Sequence, residues 1–422
     1  QIYRPMVGVS LESNKIIIAG AGIGGLTTAL ACLHHGFDVC VFEQAAGLEA
    51  VGAGIQIPPN AMKVLRALGL EAQIAQHGFL PQALQARMGQ SGRQLFRVPL
   101  DAAAQHHWGA PYYHIHRADY VAVLKAALLA RAPQALILDA SVASFENQSH
   151  GVKITLSDGR QFSGATLIGA DGIHSAIQQQ MFGPQKPVFT GNVAWRAVVP
   201  VAKLGVHAPE ANACVWMGRG RHGVTYRLGH GLANFVGVVE RDVELDNWQV
   251  ESWRQAGSQA DALADFASWH PIVTSLIEGA DTLHRWALFD RPPLASWVQG
   301  RVALLGDAAH PMLPFMAQGA AMAVEDAWVL ASTLADIMGP DLSDQSGSNG
   351  DVETALRAYE AKRHTRASAA QAASRANAKT FHQADFLGQL MTYGPMWLGA
   401  KLAPKQVRAR LDWLYRHDVT AN

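Results

Sequence analysis

Six residues near the start, Gly20-Ala21-Gly22-Ile23-Gly24-Gly25, leave this chain few folds to choose from. They follow a β-branched run, Lys15 to Ala19, that reads as a buried parallel strand. A helical stretch continues to His35 and closes at Gly36, and a second strand, Asp38 to Phe42, ends in Glu43. In such a strand–GxGxxG–helix–strand–acid unit each part has a task. Gly20 permits the tight turn, Gly22 lets the backbone approach a pyrophosphate, and Gly25 lets the helix pack on the strand. Glu43, about 20 residues on, is placed to accept hydrogen bonds from the ribose hydroxyls of an adenosine. The unit predicts a dinucleotide site and leaves FAD and NAD both open.

The same grammar recurs twice. Ala165 to Ala170 reads as a buried strand ending in Asp171-Gly172-Ile173-His174-Ser175. Val302 to Leu305 reads as another, ending in Gly306-Asp307. A loop with His310, Pro311 and Pro314 then leads through Gln318-Gly319 into a long alanine-rich helix. An acid at a strand end, beside a helix N-terminus delivered by a proline-stiffened loop, suits an anion or an electron-rich ring. By itself this corner reads equally as an ordinary strand–helix connection. A bare NAD site needs only the first turn. Three turns suit the separate parts of one extended cofactor, which favours FAD.

The totals exclude several classes. At 422 residues, with ~150 per domain, two to three domains are expected. Lys+Arg and Asp+Glu both number 34, and no basic block is present, so nothing favours nucleic acid. Cys32, Cys40 and Cys214 lack CxxC spacing and are odd in number; they read as core residues of a protein from the reducing cytoplasm, not as a disulfide framework or zinc site. Ile16 to Leu33 approaches the ~20 residues of a membrane span, but its glycines belong to the dinucleotide turn, and no stable membrane association is expected. It also lacks the charged leader and cleavage site of a secretory signal. The first dozen residues read as a tail outside the fold.

After the first unit, Val51 to Pro59 is an extended segment whose Gly52 and Gly54 fit either a turn or a close approach to a flat ligand. Gln56 reads as facing that ligand or solvent. Asn60 is expected to cap a helix that buries Ala61, Val64, Leu65 and Leu68. Ala86 to Leu100 reads as a hairpin turning near Gln90-Ser91-Gly92, and Val152 to Phe162 as another turning at Ser157-Asp158-Gly159. Histidines number 18, and four fall at 106, 107, 114 and 116, but no ligand spacing is present and no metal is expected. Arg117 ends a strand just before a helix beginning near Asp119. A cation there opposes the helix dipole unless a phosphate or carboxylate partners it, which favours a functional role.

The GxGxxG with Glu43, GADGIHS at 169–175 and LLGDAAHPMLPFMAQGAAMAVEDA at 304–327 resemble the single-component flavoprotein aromatic hydroxylases. The salicylate, 3-hydroxybenzoate and 6-hydroxynicotinate hydroxylase-like branch is the nearest, and Arg117 in HRADYVAVL matches the family's flavin-contacting arginine. The resemblance implies an α/β fold: a Rossmann-like FAD-binding domain interleaved with a mainly β substrate domain, followed by C-terminal helices. The expected division is 14–80, 111–184 and 281–338 for FAD, 81–110 and 185–280 for substrate, and 339–422 for a linker and helical region. It implies FAD held by Gly20, Gly22, Gly25, Glu43, Arg117, Asp171, Gly172, Asp307 and Gly319, with Asp307 on the ribityl chain. NAD(P)H is implied as a transient co-substrate served by Asp171 and Gly172. One departure stands out: an arginine usually follows that motif where this chain has Ile177 and Gln178.

The implied activity is hydroxylation of a small aromatic, phenolic or hydroxy-heteroaromatic acid by molecular oxygen through a flavin hydroperoxide, in a monomer or homodimer. Between Pro187 and Ala280 alternating strands (VAWRAVVP, ACVWMG, GVTYRLG, LANFVGVVE) suit a sheet roofing the flavin. His222 and Tyr226 lie four apart and point to one side of an extended strand. Each reads as a packed residue or a catalytic one, with His222 the candidate base because imidazole titrates near working pH. Trp195 and Arg196 match a family position whose role could be structural. Pro314 and Phe315 belong to an apolar wall at the reacting ring, with Phe315 and Gln56 as substrate contacts. From Gly339 to Asp351 the chain reads as a linker, and Val352 to Phe386 as one long packing helix without chemistry. Two alternatives remain: a related monooxygenase for a larger quinolone or isoprenoid substrate, and a non-catalytic dinucleotide-binding protein.

Overall fold

The computed structural model describes residues 15–48, 53–241, 257–339, 351–383 and 386–421. The expected tail, Gly52 and all but the ends of the 339–351 linker lie outside them. The strand Ile16–Ala19 is wholly buried and pairs in parallel with Val39–Phe42 on one side and Thr166–Gly169 on the other. Val302–Leu304 continues the parallel order beyond Thr166–Gly169. The full six-stranded order adds Leu136–Ile137 and Val298–Gln299 at the edges. The three strands that end in Gly20, Ala170 and Leu305 are therefore neighbours, and their carboxyl ends open on the same side. Continuous apolar runs suit these positions because both faces of the sheet are covered.

The helix Ile23–His34 leaves the first strand and packs on the helix Gly319–Met338. Two glycines make this approach possible. A Cβ on Gly25 would fall 1.9 Å from the Gly20 carbonyl oxygen, and one on Gly24 would fall 2.9 Å from Leu305 Cδ2. The helix Pro59–Ala67 buries Ala61, Val64 and Leu65, with Leu68 just beyond its end. Its start corrects the sequence reading: Pro58 occupies the cap and Pro59 the first turn, where a missing N–H costs nothing. Asn60 instead points inward and donates to Glu325 Oε1 (2.7 Å) and Gln318 Oε1 (3.2 Å).

A second, seven-stranded sheet runs in the order His284–Asp290, Val188–Pro200, Leu232–Glu240, Arg221–Leu228, Asn212–Gly218, Ala83–Met88, Gln94–Pro99. Its last two strands are the expected hairpin. One face buries Trp195, Trp216 and Phe235 under the short helices Gln259–Asp265 and Pro271–Glu278. The other carries Ala194, Val236, Val238 and Met217 and closes on Leu313 and Phe315. The alternation of each strand is thus spent on two different apolar neighbours.

The C-terminal reading needs correcting too. The helix spans Val352–Phe381 and stops there; a separate helix, Phe386–Leu402, follows. From the Val352–Phe381 helix, buried Arg363 sends Nη1 to Glu325 Oε2 (2.6 Å) and Nε to Asp326 Oδ1 (2.7 Å). Arg366 also donates to both Glu325 oxygens. Burial alone would raise both carboxyls; for Glu325 the two arginines, and for Asp326 His310 and Arg363, outweigh it and hold them below the usual range. Removing one member would strand the other charges. Arg363→Met is expected to lower unfolding free energy by about 3–5 kcal/mol, and Arg363→Lys by less, read from chemical-denaturation midpoints.

Candidate active site

The carboxyl ends of Ile16–Ala19, Val39–Phe42 and Thr166–Gly169 define a groove of about 820 Å³, part of it open to solvent; Asp307 and Gly319, at the third turn, do not line it. Gly20, Gly22, Glu43, Arg117, Asp171 and Gly172 all line it. Gly20 takes φ +101°, and a Cβ there would sit 2.4 Å from the Ala170 carbonyl oxygen, so the turn admits only glycine. Gly22 is different: nothing lies within 4 Å of its added Cβ, which would project into open space. Glu43 accepts from the Ala21 N–H (2.8 Å) and the Ala45 N–H (2.9 Å), which fixes the turn while leaving lone pairs on both oxygens.

Arg117 is the first residue of the helix Arg117–Arg131, two residues earlier than expected, and His116 caps it. The Arg117 backbone N–H is bound to the Ala53 carbonyl (2.9 Å), while its side chain turns to the groove. Asp171 accepts weakly from the Ile177 N–H (3.3 Å), and its buried Oδ1 has no partner among the described residues. Burial raises its carboxyl, against hydrogen bonds led by Ser175. Ile177 and Gln178, which stand where the related motif carries arginine, are both buried. Asp307 is open to solvent yet crowded by protein; that crowding raises its carboxyl, with His310 and Arg117 acting in the opposite direction. Gly319, at the start of its helix, lies beside it: an added Cβ would be 3.8 Å from Asp307 Oδ1.

The loop from His310 to Phe315 is held from beneath. His310 Nε2 bonds Asp326 Oδ2, and the Gly306 N–H reaches the same oxygen (3.3 Å). The Val352–Phe381 helix ties the loop backbone at three carbonyls: Gln371 donates to Pro311 (2.8 Å), Ser374 to Leu313 (2.6 Å) and Asn377 to Phe315 (3.3 Å). Leu313 and Phe315 are buried, whereas Pro314 is exposed at the start of a tight turn.

His222 and Tyr226 share one face of their strand, and Phe315 meets His222 edge-on at 5.1 Å between ring centres. Tyr226 packs on His114 (4.6 Å) and beneath Gly54, whose added Cβ would fall 2.7 Å from the Tyr226 ring. Gly54 therefore approaches the sheet closely, and its N–H donates to Asn234 Oδ1 (2.8 Å). Gln56 accepts from the Tyr112 hydroxyl. Burial drives the His222 imidazole well below its usual pKa, with His382 adding to the effect. His114 is pushed to about 3 by burial, against its bond to the Arg227 carbonyl, so this histidine is a neutral packing group. Trp195 is structural: it donates to Asp265 (2.8 Å) on the opposite face.

Several residues escaped the sequence reading. Arg196, read from the sequence only as matching a family position, lies on the His222 face, with its guanidinium 5.0 Å from the Trp286 ring and close enough to act on the Tyr226 phenol. His382 bonds His222 from the end of a helix read as inert. Gln371, Ser374 and Asn377 did leave a signal, a polar stripe at three-residue spacing in an otherwise alanine-rich helix. His77, Asp119 and His230 bring potential ligand atoms within 4.8 Å of one another, although they are far apart in sequence. That grouping is partly exposed, and His230 already contacts Asp119 at 3.6 Å.

Residues 13–374 match the family described as FAD binding domain, so the chain belongs to that family of flavoproteins. It is an FAD-dependent aromatic monooxygenase, which removes the non-catalytic alternative. Among its relatives, a 3-amino-4-hydroxybenzoate 2-monooxygenase of Streptomyces platensis is 35% identical, covering 90% of this chain and 91% of that one. A 6-hydroxynicotinate 3-monooxygenase of Pseudomonas fluorescens is 36% identical over 87% of this chain and 91% of its own. Among solved structures, Klebsiella pneumoniae HpxO complexed with FAD and uric acid aligns with a TM-score of 0.80 at 27% identity, covering 94% of this chain and 95% of that one. The groove fits the cofactor: it carries an unpartnered carboxylate oxygen and a cation, and has open space at the one glycine where a backbone must be approached. Gly22→Ala should therefore keep the melting temperature of the apoprotein while weakening FAD at least about tenfold, ~1.4 kcal/mol, in a fluorescence titration.

Proposed function

We propose that this enzyme uses NAD(P)H, FAD and molecular oxygen to hydroxylate a small aromatic acid that carries a ring hydroxyl. Bound FAD supplies the redox and oxygen-activating chemistry. The protein's own part is to hold the cofactor, orient the ring, exclude water and take up a proton. In this reading Gly20, Gly22, Gly25 and Glu43 hold the adenosine and pyrophosphate portion, Arg117, Asp171 and Gly172 the middle, and Asp307 and Gly319 the ribityl side. The Gly319–Met338 helix begins at that end, and its N-terminus favours negative charge there by ~0.3–1 kcal/mol, up to about 2 when partly buried. The FAD portion would comprise 14–80, 111–184 and 281–338, and the seven-stranded sheet the substrate portion.

The observation that carries the reading is the closed apolar face over the Pro311–Phe315 loop, interrupted by His222, Tyr226 and Arg196. An apolar enclosure protects a reactive oxygen donor from water. Neutral His222 is suited to accept the ring-hydroxyl proton, which makes the ring more nucleophilic. Arg196 offers a positive charge to the carboxylate of an aromatic acid. Leu313 and Phe315 line the dry side, with Pro314 at the mouth and Gln56 at the cofactor-facing edge.

The test is aerobic oxidation of NADH and NADPH by the yellow protein against hydroxylated aromatic acids, with peroxide measured alongside. At least one acid should stimulate oxidation with little peroxide. A panel in which none does would overturn the proposal. His222→Asn should lower the hydroxylation rate by about 10²-fold or more while changing FAD content little; an unchanged rate removes its role as base.

A further inference from the structure

The His222 imidazole does not end in the apolar wall. Its Nδ1 lies 2.6 Å from His382 Nε2, and His382 Nδ1 lies 2.9 Å from Glu240 Oε1. His222 stands near the start of the strand Arg221–Leu228, opposite Val238. Glu240 ends the neighbouring strand, Leu232–Glu240, and His382 caps the C-terminal end of the Val352–Phe381 helix. Both histidine side chains are buried, whereas the Glu240 side chain is 53% exposed. Three elements thus contribute one side chain each to a line that runs from the apolar face of the second sheet to solvent. The other rings against His222, Phe315 and Phe381, offer no proton acceptor.

The line fixes where the protons sit. An ionised carboxylate only accepts, so His382 Nδ1 carries its proton and donates to Glu240. In the neutral ring His382 Nε2 is then the acceptor, so His222 Nδ1 carries a proton and donates to it. His222 Nε2 is left with its lone pair, the state a base requires.

We propose that His222, His382 and Glu240 form a proton relay that carries the substrate's ring-hydroxyl proton out of the apolar enclosure under the second sheet. The relay rests on the hydroxylase reading above. As His222 Nε2 accepts the substrate proton, the Nδ1 proton of His222 passes to His382 Nε2. The Nδ1 proton of His382 passes in turn to the Glu240 carboxylate, which releases it to water. One proton enters and one leaves, no electron moves, and each imidazole exchanges its tautomer. The same line run backwards returns a proton to the product oxygen and restores the starting tautomers.

Physical necessity supports a relay over a lone base. Burial lowers both imidazoles, at His382 against the opposing pull of Glu240, so a proton resting on His222 would be a costly buried cation. Passing it along the line avoids that state. His382 and Glu240 are accordingly positioning and relay residues, and only His222 touches the reacting molecule.

The test uses the FAD-loaded enzyme and its Glu240→Gln and His382→Gln variants. Glutamine at 240 still accepts from His382 but cannot take up the proton. Each protein is mixed without oxygen with 6-hydroxynicotinate or 3-amino-4-hydroxybenzoate in weak buffer, and proton release is followed by an indicator dye. Wild type should release a proton as the ligand binds. Both variants should release it at least about tenfold more slowly, with ligand affinity changed less than about twofold. Nitrogen-15 histidine spectra, with the His222 signal assigned by its loss in His222→Asn, should show His222 protonated at Nδ1. Release at the wild-type rate in both variants, or a His222 proton on Nε2, overturns the relay. If wild type hydroxylates while the variants match it, the relay alone falls. If wild type neither binds nor hydroxylates any acid of the panel, the hydroxylase reading falls and takes the relay with it.

Discussion

Two carboxylates and one guanidinium, buried together, hold the working parts of this enzyme in register. Glu325 and Asp326 are consecutive on the Gly319–Met338 helix, and Arg363 reaches both from the next helix. Neither acid could remain ionised in that interior without the cations, and a guanidinium there without them would be equally costly. Each carboxylate also spends its spare oxygen on the site. Asp326 holds His310 and the Gly306 turn, and Glu325 holds Asn60 at the base of the cofactor side. One desolvated cluster therefore sets the position of the third strand-end turn, the His310–Phe315 loop and the helix that follows it.

Around that anchor the two sheets divide the labour. The parallel sheet brings three strand ends to one edge, where backbone turns and a few polar side chains can follow an elongated cofactor. The seven-stranded sheet contributes a face, and a face is what an aromatic ring requires. The loop between them is short, stiff and bound at three carbonyls by the C-terminal helix. The same helix then supplies His382 at its end. A segment that packs the fold also reaches His222 on the second sheet, because a 30-residue helix spans about 45 Å and can serve both ends of the molecule.

Legibility followed the range of the interaction. Gly20, Gly25 and Gly306 were readable because a backbone turn imposes its demand on the residue that makes it. The spacing in RHGVTY placed His222 and Tyr226 on a common face for the same local reason. Asn60 misled because a polar residue at a helix start resembles a cap, and nothing nearby in sequence announces Glu325 as its partner. Arg363 and His382 sat in an alanine- and arginine-rich helix whose surface pattern looks solvated. Their partners lie 37 to 160 residues away.

The sequence by itself pointed to the class: three strand-end motifs in order, each with its glycine or acid, favour FAD over a bare NAD site, since those turns are built from residues adjacent in the chain; the family match then removed the non-catalytic alternative. Tertiary structure alone decided which charges are buried together, which side chain meets His222 at Nδ1, and which face of the second sheet is closed. Those properties depend on burial and on hydrogen-bond partners from distant elements. No local pattern specifies a partner that only folding brings within 3 Å.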